Sequence, residues 1–478
     1  MENAIDQKVR IMTTEPVKKL VCRLAIPTII SMLVTSLYNI ADTFFVGRIG
    51  TEAAATAGVG LVFPIMTILQ AFGFFFGQGS GNFISRMLGA RKDGEAETMA
   101  ATGNICALLF GMLVMAVGIL FKRPILNMLG ATEGRVSADT VRYASDYLTI
   151  ILIGAPFLCM SCVLNNQLRF QGNAFFSMIG LVSGAIINIG LDPLMIFVFG
   201  MEVKGAAYAT IISQMFSCIL LYLGTLRSDS LKIRLNRFKP NLYYLKNICI
   251  GGAPSLFRQG LASIATLCLN TAAGNAAAAS SAGIYTPDAA IAAFSVVGKI
   301  MMFGFSALIG FGQGFQPICG FNYGAGKYGR VCEAYVFCLK VGLCFLLVVS
   351  SAGFCFAEQI VRTFKDEESV VAIGQVAMRY QCVTFTLMGL VVMTNMLYQN
   401  IGRVVGATLL AVARQGLMFI PVVLILPGLF SDPMQGVYLA QPLADLFAFI
   451  LAIILAVRMM KELNRDEKES EEIADTTI

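Results

Sequence analysis

The stretch GQGSGNFISRMLGARKDG, residues 77–94, returns in outline as GQGFQPICGFNYGAGKYG, residues 312–329. Both copies begin with Gly-Gln-Gly and end with Gly-Ala-x-Lys-x-Gly, and they are offset by 235 residues. A second set of matches, offset by 234, consists of Asn166, Arg169, Gly172 and Pro193 with Asn400, Arg403, Gly406 and Pro427. Several matches in register at nearly one offset predict that the chain is built from two homologous halves.

Around these repeats the sequence is strongly apolar. Of the 478 residues, 57% are hydrophobic and 13% are charged, and the mean hydropathy is +0.74. Soluble domains carry about 25% charged residues, so a water-facing surface cannot be built from this composition. The apolar runs reach about twenty residues or more, enough to cross a hydrocarbon core of about 30 Å as helices. We therefore predict an all-α integral membrane protein surrounded by lipid bilayer.

Twelve apolar runs predict twelve transmembrane helices, arranged as two homologous six-helix lobes around a central cleft. The runs cover approximately residues 20–46, 53–84, 97–120, 140–165, 175–199, 203–226, 246–274, 289–318, 331–356, 372–399, 404–430 and 434–458. The predicted parts are an N-terminal tail (1–19), an N-lobe (20–226), an inter-lobe linker (227–246), a C-lobe (247–458) and a C-terminal tail (459–478).

The positions of Lys and Arg predict the orientation. We count 22 of them on the side that carries both termini and 8 on the opposite side. Positively charged loops stay in the cytoplasm, so both termini and the linker are expected there, in a multi-pass protein of the plasma membrane. The net charge of +6 lies in short clusters between spans, which favours loop topology over nucleic-acid binding. The first twenty residues lack the apolar core of a signal peptide.

The composition also argues against an enzyme. The chain has no His, which excludes His-ligated zinc and His-based triads, and its thirteen Cys show no disulfide framework. The glycine-rich segment 77–82 is followed by no Walker lysine, so nothing indicates nucleotide binding. We expect no prosthetic cofactor, and energy must come from an ion gradient.

Two carboxylates inside apolar runs stand out in the first half of the chain, Asp42 in the first run and Asp192 in the fifth. A charge within hydrocarbon costs about 2.5–3.5 kcal/mol on insertion scales, so it needs a partner, a cavity or a function. Tyr38 precedes Asp42 by four residues and Asn188 precedes Asp192 by four, which places each pair on one helix face. Such oxygen atoms suit Na⁺ or a shared proton. The alternative is that each Asp lies in water at a span end or caps a helix break at Pro193.

At these residues the sequence resembles the multidrug and toxic compound extrusion (MATE) family, in its DinF-like and MepA-like bacterial branches, from about residue 15 to 460. The resemblance rests on LYNIADTFFVG (37–47), SRMLGARK (85–92), Asn188-x-x-x-Asp192-Pro193 and Gly205-Ala-Ala-x-Ala-Thr210. It implies the MATE/MOP-type fold and a cation site in the N-lobe. The residues so implied are Tyr38, Asp42, Asn188, Asp192 and Thr210, with Na⁺ at Asp42, Asn188 and Asp192 and weaker cavity candidates at Asn165 and Asn166.

Another bacterial branch of the family carries acids in the first and fourth helices of the C-lobe. Here the seventh and tenth spans contain no carboxylate, which argues against coupling in that lobe. Among the charged residues of the C-lobe spans, four stand out as intramembrane charges, and we expect them to form structural ion pairs or to snorkel. They are Arg258, Lys299, Arg414 and Asp445.

The resulting hypothesis is a secondary antiporter that exports cationic or amphipathic small molecules in exchange for H⁺ or Na⁺ by rocking of its lobes, as a monomer. Methionine suits promiscuous apolar cavities, so Met160, Met301, Met302 and Met393 are candidates to line the path. The main alternative is a flippase for a lipid-linked precursor, for which a strongly cationic cavity is expected. An intramembrane enzyme and a multimeric channel are less favoured.

Overall fold

The computed structural model of the chain describes residues 4–46, 48–49, 54–132, 136–227, 231–280 and 286–476. Several predicted positions lie outside these ranges, among them Gly47 of the first-span motif, residues 228–230 of the linker and Arg135, one of the eight Lys and Arg residues counted opposite the termini. Helices hold nearly all of the described residues. The prediction of an all-α fold is therefore confirmed.

The first half of the chain contains a short N-terminal helix followed by six long helices. Their bounds are α1 (Ala4–Thr14), α2 (Val17–Val46), α3 (Ala54–Gly89), α4 (Asp93–Leu120), the short α5 (Lys122–Met128), α6 (Ala138–Phe170), α7 (Ala174–Pro193) and α8 (Glu202–Arg227). A π-helical segment, Leu194–Val198, continues α7.

The second half repeats this pattern with more interruptions. Its helices are α9 (Leu242–Ala279), α10 (Pro287–Gly324), α11 (Tyr328–Cys355), the short α12 (Ala357–Phe364), α13 (Glu368–Phe385), α14 (Met388–Ile401), α15 (Val404–Val412), α16 (Ile420–Ile425) and α17 (Pro433–Thr476). A π-helical segment, Ala413–Phe419, joins α15 to α16.

Each of the twelve predicted runs coincides with one long helix or with one broken helix. Within the described ranges, ten helices are long and apolar enough to cross a bilayer, and α13 with α14, bent by 53°, would supply an eleventh. The count of twelve also includes α9, which has 38 residues but carries Lys246 and Arg258.

Both predicted tails are largely helical. Residues 4–14 of the N-terminal tail form α1, which packs against the ends of α3 and α10 through Val9 and Met12. The C-terminal tail continues the last span, because α17 runs to Thr476 without a break.

The glycines of the repeated motif explain why it occurs twice. A Cβ on Gly79 of α3 would overlap the backbone of Ile248 in α9, and one on Gly314 of α10 would lie 2.5 Å from the Cα of Ala25 in α2. A Cβ on Gly89 would likewise overlap the backbone of Phe321. In each copy of the motif, glycine stands where a side chain would collide with the other lobe. The absence of a side chain at these positions allows the helices of the two lobes to approach closely.

The buried core shows which end of the bundle is closed. One large cluster joins the N-terminal part of α2 and the C-terminal part of α3 to α10, α11 and α14, at the end that carries α1. Toward the other end the lobes have separate cores, one around Tyr147 and Ile196 and one around Phe294 and Val370. The two lobes therefore join at the end bearing the termini and part toward the opposite end.

Candidate cation-coupling site

Two helix ends position the intramembrane carboxylates. Asp42 lies in the last turns of α2, one turn after Tyr38, and Asp192 lies at the end of α7, one turn after Asn188. Pro193 has no backbone N–H and cannot continue the α-helical hydrogen bonds, and the π-helical segment 194–198 follows it at once. Such π segments occur frequently at functional sites.

The structure brings the two helix ends together. α2 packs against α7, and Asp42 is close enough to Asp192 for their charges to interact. Tyr38 lies within electrostatic reach of both carboxylates. Two parts of the chain separated by about 150 residues thus form one cluster.

Burial without hydrogen bonding distinguishes this cluster. Asp192 is 0% exposed and Asn188 is 1% exposed. Five polar atoms of the cluster have no hydrogen-bond partner in the described structure: both carboxylate oxygens of Asp192, the amide oxygen and nitrogen of Asn188, and Oδ1 of Asp42. A buried polar atom without a partner costs about 1–3 kcal/mol, and more when it is charged. A cation placed among these atoms would remove that cost.

Thr210 and Tyr147 complete the cluster. Thr210 is buried in α8, and the hydroxyls of Tyr38 and Tyr147 both lie beside its hydroxyl. Tyr147 also lies within electrostatic reach of both carboxylates, and its hydroxyl contacts the Met66 sulfur at 3.5 Å. Tyr147 could not be predicted from the sequence, because its partners lie on other helices and no spacing within α6 indicates them. The only signal was a phenol inside an apolar run.

Asn165 and Asn166 do not join this cluster. Asn166 lies about 19 residues beyond Tyr147 on the same helix, which is roughly 28 Å along its axis. Asn165 donates to the carbonyl of Ser177 at 3.0 Å and so ties α6 to α7. Asn166 accepts from the guanidinium of Arg169 at 2.6 Å, and that guanidinium also donates to Gln316 of the C-lobe at 3.2 Å. Both amides have structural partners, and only those of Asn166 reach the inter-lobe contact.

The four candidate methionines occupy different environments. Met160 packs against a small N-lobe core with Leu168 and Leu221. Met393 is fully buried among C-lobe helices, whereas Met301 is partly buried and Met302 is exposed. Their role as cavity residues stays a prediction.

The C-lobe charges divide into paired and unpaired residues. Arg414 Nε lies 3.1 Å from Asp445 Oδ1, and Gln441 donates to the same oxygen at 2.8 Å. This is the structural ion pair expected for these charges. Lys299 is exposed, and the described structure shows no hydrogen bond or ion pair for the partly buried Arg258.

A family model decides the classification: the MatE model matches residues 27–194 and 262–425. The chain belongs to the MatE family. The second matched segment begins 235 residues after the first, which is the offset of the sequence repeat. Each half of the chain therefore contains one MatE match. The family assignment makes the chain a membrane transport protein and not an enzyme.

Similar proteins cover the whole length of this MatE-family chain. The multidrug export protein MepA of Staphylococcus aureus (strain NCTC 8325 / PS 47) is 26% identical over 460 residues, which are 95% of this chain and 97% of MepA. A multidrug resistance MATE transporter of the MOP superfamily, solved in an outward-facing conformation, has a TM-score of 0.87 at 27% identity and covers 96% of this chain and 98% of its own. A MOP superfamily transporter from Pyrococcus furiosus has a TM-score of 0.86 at 27% identity, covering 96% and 99%. The predicted MATE fold is confirmed.

The first MatE segment contains most of the cluster. Tyr38, Asp42, Asn188 and Asp192 fall inside residues 27–194, and so does Tyr147, whereas Thr210 lies beyond it. In the C-lobe, the segment 262–425 contributes no carboxylate pair comparable to Asp42 and Asp192, since Asp445 lies outside it and is bound to Arg414.

Proposed function

We propose that this MatE-family protein is a secondary exporter of small organic molecules, driven by H⁺ or Na⁺ that binds between α2 and α7. The observation that carries the proposal is the set of five unpartnered polar atoms on Asp42, Asn188 and Asp192. Asp192 is fully buried and Asp42 is partly buried, and carboxylates without a countercharge are costly in the interior of a membrane protein. A cation that neutralises them is bound strongly enough to influence the packing of the lobe.

The donor set is compatible with either ion. A proton shared by the two carboxylates lowers their repulsion. Na⁺ needs several oxygens, and the carboxylates, the Asn188 amide oxygen and the hydroxyls of Thr210 and the tyrosines offer them. Within the described residues no group of three Asp, Glu or Cys side chains comes together, and the donor set that we propose for H⁺ or Na⁺ is two carboxylates with neutral oxygens.

The shape of the bundle supports alternating access. The lobes share one core at the end bearing the termini and have separate cores at the other end. Rocking them about the central contact would open the first end and close the second. We propose that the closed end faces the cytoplasm, in agreement with the charge asymmetry, that the protein lies in the plasma membrane, and that one chain is sufficient.

The proposed substrates are cationic or amphipathic organic molecules. Support comes from the similarity to MepA, a multidrug export protein, and from the two acidic side chains at the open end of the N-lobe. A flippase for an anionic lipid-linked precursor is the second candidate, and the unpaired Arg258 is the observation that favours it.

Transport in proteoliposomes tests the proposal. Efflux of a fluorescent organic cation is measured with a pH gradient or a Na⁺ gradient imposed separately, in the wild type and in Asp42→Asn and Asp192→Asn. Asp288→Asn is the matched control, because Asp288 is an exposed acid in the first turn of α10. We expect one gradient to drive efflux, both site variants to lose at least nine tenths of it, and the control to keep it. Wild-type rates in both site variants would contradict the proposed site.

Orientation needs a separate measurement. With the native cysteines replaced, single cysteines introduced at residues 234 and 239 of the linker are labelled in intact cells by a membrane-impermeant maleimide. Labelling only after the cells are opened places the linker in the cytoplasm, whereas labelling of intact cells reverses the proposed topology.

A further inference from the structure

A basic pocket lies where α17 leaves its apolar section. It is lined by Arg403, Arg458, Lys461, Glu462 and Arg465 and has a volume of about 470 Å³. That volume is within the range of about 300–1,000 Å³ typical of small-ligand sites. Four cations against one acid give the lining an excess of three positive charges, which indicates an anionic ligand.

The acids near the pocket satisfy only part of this charge. Arg403 forms an ion pair with Glu462, and Arg465 lies 3.4 Å from Asp466 and 3.5 Å from Glu469. Arg403 and Arg465 nevertheless remain 55% and 69% exposed, and ion pairs between exposed side chains contribute only about 0–1 kcal/mol. A further acid nearby, Glu467, accepts a hydrogen bond from the backbone N–H of Gly329.

Arg458 and Lys461 are the cations available for a ligand. The described structure shows no ion pair or hydrogen bond for either side chain, and both are exposed. They lie three residues apart, on adjacent turns of α17, and so face the pocket together.

The apolar face of α17 leads directly to these two residues. Phe447, Ile450, Ile454 and Val457 are 41–60% exposed and follow one another at helical spacing, as a lipid-facing stripe does. Lys461 continues that spacing, four residues after Val457. A molecule with acyl chains along the stripe would therefore place its polar end in the pocket.

We propose that this pocket binds the phosphate headgroup of an anionic phospholipid whose acyl chains lie along the 447–457 stripe. Basic clusters immediately beyond a transmembrane helix attract anionic lipids by about 1 kcal/mol per Lys or Arg near the surface. The apolar stripe distinguishes a lipid from free phosphate, because only a lipid uses both surfaces.

The lipid would also support the contact between the lobes. Arg403 follows Gly402, which ends α14 in a left-handed conformation with φ +86°. The guanidinium of Arg86, from the N-lobe, donates to the carbonyl of Asn400 at 2.7 Å and lies against Gly402. A headgroup bound to Arg403 would stabilise the segment 400–403, to which Arg86 of the N-lobe donates its hydrogen bond.

The chain contains no Trp, so a single introduced Trp reports on local lipid. Val457→Trp places it on the stripe, and Leu226→Trp places the control at an exposed apolar position beside Arg227 at the end of α8. Each protein is reconstituted in vesicles that mix phosphatidylcholine with phosphatidylglycerol of the same acyl chains, one of the two being brominated to quench Trp. We expect phosphatidylglycerol to be favoured at least fivefold at residue 457 and less than twofold at residue 226.

Charge variants in the Val457→Trp background test the pocket itself. Arg458→Gln with Lys461→Gln should remove the preference, whereas Lys18→Gln with Lys19→Gln, which changes two exposed cations elsewhere, should keep it. Equal quenching by both lipids at residue 457, or a preference that survives the pocket double variant, would overturn the proposal. Loss of the preference in 10 mM inorganic phosphate at constant ionic strength would show that the pocket binds the free anion instead.

A second measurement does not depend on the introduced Trp. Thermal unfolding of the wild-type chain in detergent should shift upward with added phosphatidylglycerol and not with phosphatidylcholine. The pocket double variant should lose that difference, and an equal shift with both lipids would contradict the site.

Discussion

The carboxylates of Asp42 and Asp192 lie within interaction distance of one another although α2 and α7 bring them from opposite ends of the N-lobe sequence. Neither finds a countercharge in the cluster, and the neighbouring Asn188 leaves both ends of its amide without a partner. A structural acid in a membrane helix normally obtains a cationic partner, as Asp445 does from Arg414. The contrast between the two lobes underlies the first predictions.

Replacing Asp192 by Asn should leave the protein at least as stable as the wild type. The change removes a buried charge that has no partner, and the amide keeps nearly the same volume. Thermal unfolding in detergent at pH 8 measures this. Na⁺ or acid should raise the unfolding temperature of the wild type and have little effect on the variant, whereas an unfolding temperature lowered by many degrees would indicate a structural role for Asp192.

Tyr147→Phe should weaken coupling and leave the fold intact. The phenol lies beside Thr210 and within reach of both carboxylates, so its loss removes one polar group from the cation site. We expect about three- to tenfold weaker dependence of efflux on the coupling ion, equivalent to about 1 kcal/mol. Tyr208→Phe, an exposed tyrosine on α8, is the control and should behave as wild type. Identical ion dependence in both variants would exclude Tyr147 from the site.

In the C-lobe, Asp445→Asn should destabilise the protein more than it changes ion dependence. The substitution leaves the guanidinium of Arg414 without its acid inside the lobe, and loss of one partner of a buried pair costs about 3–5 kcal/mol. Thermal unfolding and the ion dependence of efflux are measured on the same preparation. Combining Arg414→Met with Asp445→Leu should recover much of the stability. If Asp445→Asn instead abolishes ion dependence at normal stability, coupling involves the C-lobe.

The sequence predicted the fold well because hydropathy and repetition are local signals. Each predicted run coincides with a helix or a broken helix, and the paired Gly-Gln-Gly motifs indicated the two halves that the MatE segments match. Helix ends were less accurate: α3, α10 and α17 run several residues past their predicted limits. The hydropathy of the sequence falls before these helices end. Polar residues such as Asn322 continue the helix because they contact other parts of the protein and not lipid.

The candidate site was only partly predictable. Spacing of four residues identifies neighbours on one helix, which is why Tyr38 was grouped with Asp42 and Asn188 with Asp192. Contacts between helices leave no such pattern, so Tyr147 was missed, and Asn166 was grouped with a cavity that its position on α6 separates from it. The contacts of α1 with both lobes could not be predicted for the same reason, because the residues that it contacts are spread over the chain.

Gly79→Ala should loosen the contact between the lobes at the closed end. A Cβ on Gly79 would overlap the backbone of Ile248, so the helices must separate at the closed end. Gly260→Ala is the matched control, because nothing lies within 4 Å of a Cβ at that position of α9. All cysteines except the buried Cys319 are replaced, and the rate at which Cys319 is labelled is measured. This rate should be at least fivefold higher in Gly79→Ala and unchanged in Gly260→Ala.

Detaching α1 should also loosen the closed end. The last carbonyls of α1 and the residue after it accept hydrogen bonds from three C-lobe side chains: Asn322 to Met12 at 3.1 Å, Lys327 to Thr13 at 3.0 Å and Arg330 to Glu15 at 2.6 Å. Cations suit this position, because the C-terminal end of a helix carries partial negative charge.

The other side of α1 holds the N-lobe. Lys8 donates to Asn173, and Asp6 forms an ion pair with Arg91. The helix therefore contacts both lobes, and the rocking proposed above would break one of the two sets of contacts when this end opens.

The variant Val9→Asp with Met12→Asp tests this. Both side chains are 2% exposed in the core at the closed end, so the acids cannot stay there without great cost. The control is Gln7→Asp with Thr14→Asp, which introduces the same two negative charges at exposed positions of the same helix. We expect Cys319 to be labelled at least tenfold faster in the first variant than in the control, with both proteins inserted in the membrane at similar levels. Equal labelling would show that α1 rests on the lobes without holding them together.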